Sequence, residues 1–507
     1  ALVWPAQLEG GLSAAFMAPV DSGAALGPDL ALSDVRQLVE AVSPAILLDY
    51  EGEGAADNPR GRFLAARRDI KAGETFLSEF PLFCGGDAGD RSRKAYVEDF
   101  VALLDAEEEE DALDEDALHP RSPLTDCLAG VVRAKWDALR SEDKSDRAEA
   151  ALRIRKLSCL WRVGEPDLVQ KDCARDVLGV LRPELREITS EEEIHRFMVA
   201  LCSNRFGGAD SKLDLMFAGS MFEHSCLPNC FVGTWRGTPP HQARSYRALR
   251  DISAGEALSI DYLHLPDAYL PASGRAELLA RWGFACRCAR CTSLPELSRC
   301  FVCPACGAGE LCPRRPGVGA VLECRTCGAA ADDAYAERCL AQEAAVVGVD
   351  RGLSEEGDQS SSGRSDQGEL LGRLHYAAFA EAWLRMEDGP AAAGSVAAFR
   401  AHVQLLVDGI RRLHGDPRHP HLLDFYHMLA QLALDNLDEQ LRFLDLERDV
   451  LRNFYPEDST RLDEEIMHLC QGRGPFAPST PGDGGTHEDL SAVDFGSWTT
   501  PGLEAMD

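Results

Sequence analysis

Three closely spaced cysteines are the residues best suited to chemistry in this chain. Cys286, Cys288 and Cys291 form a C-x-C-x-x-C cluster. Thiolates this close repel one another unless a cation lies among them, so zinc is the simplest explanation. A structural zinc ion takes four ligands, which leaves one to be found elsewhere. Cys226 is the natural candidate, although Cys230 competes with it on spacing alone, and either choice ties two distant segments together.

A second set of cysteines has the spacing of a zinc ribbon. Two C-x-x-C pairs, each followed by a glycine that permits a tight turn, are formed by Cys303 with Cys306 and by Cys324 with Cys327. A site with cysteine at all four positions has no open coordination position, so we predict a structural zinc rather than a catalytic one. A register that uses Cys300 with Cys303 remains an alternative.

The composition limits the kinds of partner. The chain has 507 residues, enough for two or three domains, with 84 acidic against 52 basic side chains and a formal net charge of -32. Such acidity disfavours direct nucleic-acid binding and favours a basic protein partner. No stretch reaches the ~20 apolar residues of a membrane span. More than half of the 18 cysteines cluster between positions 226 and 327, so we expect a reducing compartment, the cytoplasm or the nucleus.

A repeated phrase indicates how the main domain is built. Arg-Asp-Ile-x-Ala-Gly-Glu occurs at 68–74 and again at 250–256. Around the first copy, residues 63–65 and 75–77 have strand composition and flank a turn at Ala72-Gly73. Two such units predict a β-rich domain whose hairpins are distant in sequence.

Helical patterns occupy much of the remaining chain. An insert over 85–195 contains the acidic run that starts at Glu107 and is otherwise helical. Leucines at helical spacing predict antiparallel helices over 369–472. Residues 331–368 are predicted to be a linker, because their later part is rich in Gly, Ser, Asp and Glu. The ends, 1–32 and 473–507, have the composition of disordered segments.

Four short motifs in a shared order resemble those of the SET-domain lysine methyltransferases. They lie at 61–74, 223–229, 255–262 and 286–291. The chain is more closely similar to the SET- and MYND-domain (SMYD) family, and above all to its SmydA-like branch. That branch also has a zinc ribbon after a Glu-Leu pair, here Glu296-Leu297, and a His-Pro phrase, here His419-Pro420, although no MYND finger is visible.

The resemblance implies an α+β architecture. We expect a β-rich SET domain with a helical insert, a post-SET zinc site, a zinc ribbon and a helical C-terminal domain that is TPR-like. The expected ranges are 45–84 and 196–265 for the SET domain, 85–195 for the insert, 266–292 for the post-SET segment, 293–330 for the ribbon, and 369–472 for the helical domain.

The resemblance also implies an activity and its site. It implies S-adenosylmethionine-dependent methylation of a protein lysine, with Tyr262 as catalytic residue and Cys226 as the fourth ligand of the post-SET zinc. The cofactor-binding residues would be Arg62, Asn204, Glu223, His224 and Phe284. Trp282 and, more weakly, Tyr246 would line the substrate channel. Glu223 replaces an asparagine that normally contacts the cofactor, which puts binding of the methionine moiety in doubt.

Each of these roles has an alternative. Tyr262 would orient a neutral lysine amine for in-line displacement, but it could instead be a core aromatic at a strand end. His224 could be a zinc ligand or a turn residue. The whole chain could be a zinc-stapled scaffold for protein–protein interaction that has lost catalysis, or an adaptor whose ribbon contacts nucleic acid. For the enzyme we expect a monomer and a protein substrate, basic and histone-like on charge grounds.

Overall fold

A computed structural model describes most of the chain between its two ends. The described residues are 32–51, 61–86, 123–160, 171–172, 174–175, 177–178, 181, 183–206, 212–234, 243–315, 321–350, 370–390, 393–433 and 436–470. The two predicted disordered ends and the acidic run that starts at Glu107 lie outside them, apart from Leu32.

The first described element is a helix that the sequence analysis did not assign. Helix α1 (Leu32–Val42) presents Val35, Leu38 and Val39 to the core, each at most 3% exposed. Their i, i+3, i+4 spacing is that of one helix face. Helix α1 packs beside the antiparallel pair β1 (Ile46–Glu51) and β2 (Gly61–Ala66).

The β-rich domain consists of small sheets assembled from distant segments, as the repeated phrase predicts. One antiparallel sheet has the order β3 (Thr75–Glu79), β9 (Arg244–Ala248), β8 (Cys230–Thr234). A second has the order β4 (Phe83–Gly86), β6 (Lys212–Leu215), β5 (Arg205–Phe206). The short strands β7 (Glu223–His224) and β10 (Ser259–Ile260) pair in parallel.

The two copies of the repeated phrase pack against each other. Ile70 and Ile252 face each other in an antiparallel bridge. Gly73 and Gly255 both adopt positive φ, 79° and 83°, which glycine accommodates without a Cβ clash. The N–H of Gly73 donates to Ala248 O and that of Gly255 donates to Ala66 O, both at 2.7 Å. Each copy therefore closes its turn on the strand that precedes the other.

The insert is helical where it is described. It contains α2 (Pro123–Arg140), α3 (Lys144–Ser158), α4 (Pro183–Ile188) and the start of α5 (Glu191–Asn204), a helix that crosses the predicted boundary at 195. Helix α5 begins with a capping box, in which the hydroxyl of Ser190 accepts the Glu193 N–H and the Glu193 carboxylate accepts the Ser190 N–H. This helix ends at Asn204, one of the predicted cofactor residues.

The segment after the β-rich domain contains the C-x-C-x-x-C cluster and the second cysteine set. Its structure corrects the predicted start of the linker. Helices α6 (Ala272–Leu279) and α7 (Ala289–Thr292) frame the first cysteine cluster, and the hairpin β11 (Leu311–Pro313), β12 (Leu322–Cys324) holds the second. The prediction of a linker from 331 is wrong at its start, because helix α8 occupies Asp333–Asp350. Its alanine-rich sequence has high helix propensity.

The C-terminal region is a set of helices docked on the β-rich domain. They are α9 (Tyr376–Glu387), α10 (Val396–His414), α11 (Leu423–Gln431), α12 (Leu437–Phe454) and α13 (Pro456–Cys470). Phe454 meets Phe231 of β8 edge to face at 6.5 Å, and Phe379 stacks on Tyr269 at 4.0 Å. None of the helices in the described part of the chain is long and apolar enough to cross a membrane.

Candidate active site and metal centres

The loop after β7 brings Cys226 to the C-x-C-x-x-C cluster. The Sγ atom of Cys226 lies 3.9 Å from that of Cys286 and 3.6 Å from that of Cys291, and all four sulfurs, including Cys288, lie within 4.8 Å of one another. A tetrahedron with zinc–sulfur bonds of ~2.3 Å has edges of about 3.8 Å. The four thiols therefore fit one zinc ion.

Cys230, the competing fourth ligand, lies elsewhere. Its side chain is buried at the start of β8 and its thiol donates to Asn229 Oδ1 at 3.3 Å. That amide oxygen also accepts the Ser259 N–H at 2.8 Å, and the amide nitrogen donates to Ala257 O at 2.8 Å. Cys230 and Asn229 thus belong to the packing between β8 and β10, away from the thiol cluster.

A buried guanidinium contacts the thiol cluster. Arg275 on α6 has no exposed surface, and its Nη2 donates to Cys291 Sγ at 3.3 Å. Glu296 lies 3.6 Å from the Nη1 of Arg275 and accepts the N–H of Ala272 at 2.8 Å. Four thiolates around Zn²⁺ carry a net charge of -2, so a buried cation at this distance offsets charge that water cannot screen.

The second cysteine set also has the geometry of a four-thiol site. Cys303 lies 3.7 Å from Cys327, and Cys306 lies 3.7 Å from Cys324, measured between sulfurs. All four fall within 4.8 Å of one another, so they fit a second zinc ion. Cys300, the alternative ligand, is buried outside this group of four.

Tyr262 follows β10 and lies in sequence between Cys226 and the C-x-C-x-x-C cluster. Its hydroxyl donates to the Phe222 carbonyl oxygen, and its backbone N–H donates to His224 Nδ1 at 3.0 Å. Burial raises the pKa of Tyr262 well above its ordinary value, and the negative charge of Glu223 adds to this effect. The hydroxyl therefore keeps its proton at neutral pH.

Aromatic rings surround Tyr262. The ring centroids of Trp282, Phe284 and His224 lie 5.4 Å, 6.1 Å and 5.3 Å from that of Tyr262. Phe284 also lies 6.0 Å from His224. Four of the predicted site residues therefore come together in one half-buried cluster, with the Glu223 backbone beginning the strand that carries His224.

The hydrogen bonds of His224 define its tautomer. Because Nδ1 accepts the Tyr262 N–H, the ring proton must be on Nε2, which lies 3.2 Å from Cys226 Sγ. Burial lowers the pKa of His224 to about 4, so the ring is neutral at pH 7. In this tautomer Nε2 donates to the thiolate and has no lone pair for zinc. His224 thus links the metal centre to the tyrosine.

The other predicted site residues make contacts of their own outside this cluster of rings. The side-chain amide of Asn204 donates to Ala200 O at 2.7 Å, and its backbone carbonyl accepts the Ser220 hydroxyl. For Arg62 only the backbone is described, in β2 opposite Tyr50. Tyr246 has no exposed surface and stacks on Phe222 at 4.8 Å. A side chain without exposed surface lines no open channel, so Tyr246 is a core residue in this conformation.

The sequence analysis did not identify three residues that contact the site or the segments that carry it. Phe222 contributes only its backbone carbonyl, for which the side chain gives no signal. Arg275 and Glu79 are charged residues that the fold buries, at 0% and 8% exposure. A buried charge looks like a surface charge in a single sequence, so only the three-dimensional structure identifies them.

Comparisons with known proteins give one family model and a set of solved structures. A family model for the SET domain matches residues 61–263. Among solved structures, the chain is similar to the SET domain of LSMT bound to lysine and AdoHcy, with 12% identity and a TM-score of 0.29. It is also similar to Rubisco LSMT bound to AdoMet, with 12% identity and a TM-score of 0.28. Both alignments cover 87% of this chain and 94% of the other chain.

Comparison with curated proteins finds no match. The match of the family model includes β2, both copies of the repeated phrase, the strand of His224 and Tyr262 itself. The chain therefore contains a SET domain over residues 61–263.

Proposed function

We propose that this protein is a protein-lysine N-methyltransferase that uses S-adenosylmethionine (AdoMet). The observation that carries the proposal is the position of Tyr262 in a SET domain, where its hydroxyl donates to the Phe222 carbonyl inside a ring of aromatic side chains. The SMYD-like and SmydA-like assignment is part of this proposal and rests on the motifs alone.

Tyr262 would act as an orienting group rather than a base. A phenol whose pKa is raised by burial stays protonated, and its one proton is already donated to Phe222 O. Both lone pairs of the phenolic oxygen are then available to face a lysine amine and the methyl group that it attacks. Fixing the direction of approach in this way is the main source of rate in a direct displacement.

The lysine amine must be neutral before it attacks. Free lysine has a pKa of ~10.4, and an apolar environment lowers that value because it disfavours the ammonium form. Trp282 and Phe284 supply such an environment beside Tyr262, and their faces also suit an ammonium or methylated product. The proton would leave to solvent before transfer, after which the nitrogen–methyl bond forms as the sulfur–methyl bond breaks.

Residues near Tyr262 would hold the cofactor. When bound, AdoMet supplies a methyl group on a positively charged sulfur. His224 and Phe284 would contact it, as would Asn204 and Arg62 by the resemblance. Glu223 would stand where the family has an asparagine that contacts the cofactor. The zinc ions would be structural, because each set of four thiols leaves no open position.

The substrate is proposed to be a lysine in a basic protein segment, such as a histone tail. The argument is the excess of 84 acidic over 52 basic residues, which attracts cationic chains at low ionic strength. A reducing compartment, the cytoplasm or the nucleus, suits the eight clustered thiols.

The test is transfer of a radiolabelled methyl group from AdoMet to purified core histones, with Tyr262→Phe as the paired variant. We expect label on histone lysine with the wild type and a loss of about 10²-fold or more in rate with the variant, while calorimetry gives the same AdoMet affinity for both. Equal rates for the two proteins would refute the role of Tyr262.

The alternative function is a catalytically inactive scaffold held by zinc. Glu223 favours it, because an acidic side chain stands where the family has an amide. A wild type that binds no AdoMet in calorimetry would establish the scaffold. If the carboxylate is the cause, Glu223→Asn should then restore AdoMet binding.

A further inference from the structure

A buried carboxylate lies behind the site that contains Tyr262. Glu79 is the last residue of β3 and is 8% exposed. Its Oε2 accepts the Ala218 N–H at 3.0 Å and its Oε1 accepts the Gly219 N–H at 2.5 Å. The Tyr246 hydroxyl approaches the same Oε1 at 3.4 Å. Burial raises the pKa of Glu79, and the hydrogen bonds from the Gly219 and Ala218 N–H groups oppose this rise.

The two amides that Glu79 holds begin a tight turn. Within it, the Met221 N–H donates to Ala218 O at 2.9 Å and the Phe222 N–H donates to Gly219 O at 3.4 Å. A Cβ at Gly219 would lie 1.8 Å from the Tyr246 hydroxyl oxygen, so the backbone approaches the ring as closely as glycine alone allows. The Glu79 side chain and the Tyr246 ring therefore both restrict the position of this turn.

The turn ends at the carbonyl group that accepts the Tyr262 hydroxyl. From Glu79 to Phe222 O there is one pair of hydrogen bonds to backbone amides and one single-turn helix. The same turn reaches the end of α5, because the Ser220 hydroxyl, whose nearer acceptor is Met216 O at 2.6 Å, also lies 3.1 Å from Asn204 O. Any displacement of the Ala218 and Gly219 amides therefore moves the acceptor that sets the direction of the Tyr262 hydroxyl.

Glu79 has no neutralising partner at hydrogen-bond distance among the described residues. Lys156 contributes favourable charge from farther away, and its ammonium lies over the Phe217 ring at 5.2 Å. Burying a carboxylate costs free energy, and two backbone amides offset that cost only if they stay in place. An apolar side chain would fill the same volume without that cost, so the carboxylate is best explained by the groups that it holds.

We propose that Glu79 is a positioning residue for the methyl-transfer reaction, which acts through the turn 218–222 to fix the Phe222 carbonyl and hence the direction of the Tyr262 hydroxyl. This inference rests on the proposed function for its kinetic consequence, but its structural consequence can be measured without any activity.

The test is Glu79→Gln. In this variant the side-chain NH₂ group must face one of the two backbone N–H groups, and it cannot accept a hydrogen bond from that group. Fluorine NMR of protein labelled with 3-fluorotyrosine reports the surroundings of each tyrosine, and Tyr262→Phe identifies the resonance of Tyr262. We expect that resonance to shift in Glu79→Gln. On core histones we expect kcat to fall roughly 10-fold, with the AdoMet dissociation constant unchanged and with KM for histone within about 2-fold.

The matched control is Glu447→Gln, the same chemical change at a side chain that is also 8% exposed but lies in the C-terminal helices. It should leave the Tyr262 resonance and kcat unchanged. An unshifted Tyr262 resonance in Glu79→Gln would overturn the proposal. A shifted resonance in a protein that transfers no methyl group would support the positioning and refute only the proposed activity.

A milder variant covers the case in which Glu79→Gln does not fold. Tyr246→Phe removes one hydrogen bond from Glu79 and adds no buried donor. We expect a shift of the Tyr262 resonance in this variant too, because the carboxylate loses one of the donors that hold it. No change at Tyr262 in a folded Tyr246→Phe protein would also contradict the proposal.

Discussion

Asp69 and Asp251 cap each other's turns across the two copies of the repeated phrase. Asp69 Oδ1 accepts the Ala254 N–H and Asp251 Oδ1 accepts the Ala72 N–H, both at 2.9 Å. With the Ile70–Ile252 bridge between them, the copies are related by a local twofold arrangement. When the same substitution has different effects at equivalent positions of the two copies, the difference must come from contacts with the rest of the protein.

Gly73 and Gly255 provide the first such comparison. Alanine at either position is strained by the positive φ, by about 1–2 kcal/mol. At Gly73 the new Cβ would also lie 2.7 Å from Asn453 O of the C-terminal helices, whereas at Gly255 no atom lies within 4 Å. We expect Gly73→Ala to lower the midpoint of thermal unfolding more than Gly255→Ala does. Equal decreases would show that the C-terminal helices do not limit the space available at Gly73.

The glutamates that end the two copies predict a dependence of stability on pH. Hydrogen bonds from Arg68 and from the Lys71 N–H lower the pKa of Glu74 below its ordinary 4.5. Partial burial raises the pKa of Glu256, but bonds from Arg250 and Asn229 outweigh it and leave that pKa lowered too. The stability that these carboxylates contribute is complete above pH ~4.5 and is lost as the pH falls through the lowered values.

The double variant Glu74→Gln with Glu256→Gln tests this dependence. It should be less stable than the wild type at pH 7, by about 1 kcal/mol or less per site because both side chains are partly exposed. The difference should shrink as the pH falls below 4.5. Urea denaturation of both proteins from pH 7 to pH 3 measures it, and a difference that grows on acidification would contradict the assignment.

The two sets of thiols predict a metal content of two zinc ions per chain. Cys226→Ser should reduce this content to about one, because three thiolates hold zinc far more weakly than four. Cys230→Ser is the matched control, since this nearby thiol bonds Asn229 instead, and it should retain two ions. Metal analysis after gel filtration measures both, and the opposite pattern would transfer the ligand role to Cys230.

Arg275 is expected to slow the loss of zinc from the first site. Its guanidinium donates to Cys291 Sγ and compensates buried negative charge, and outer contacts of this kind change metal affinity by about 10- to 100-fold. Arg275→Met should therefore release one of the two ions faster to a chromogenic chelator. The ribbon zinc is the internal control, because Arg275 contacts none of its cysteines, and its release should be unchanged.

Spacing predicted the residues that share a local segment, and it failed where only tertiary structure decides. The C-x-C-x-x-C cluster and the two glycine turns are visible in the sequence because their chemistry needs neighbouring positions. Spacing does not separate Cys226 from Cys230, since both follow His224 within six residues and only the fold decides which one faces the cluster. The SET-family resemblance favours Cys226, and the structure places its sulfur within 4.8 Å of the other three.

Composition also misassigned one element. Residues 331–368 were predicted as one linker because Gly, Ser and acidic residues dominate the later part, and the helix Asp333–Asp350 lay within that range. The roles of Glu79 and Phe222 had no sequence signal, since one is an ordinary acidic residue and the other acts through its backbone. Such supporting groups depend on which distant segment the fold places beside them.

The two halves of the first cysteine site leave the ribosome at different times. Cys226 and Cys291 are 65 positions apart, and ribosomes add about 5–20 residues per second. The loop that carries His224 therefore leaves the ribosome about 3–13 s before its last thiol partner. Zinc bound by the four thiols would join the two segments after this interval, so a cell short of zinc would make chains in which the loop of His224 is not tied to the C-x-C-x-x-C cluster.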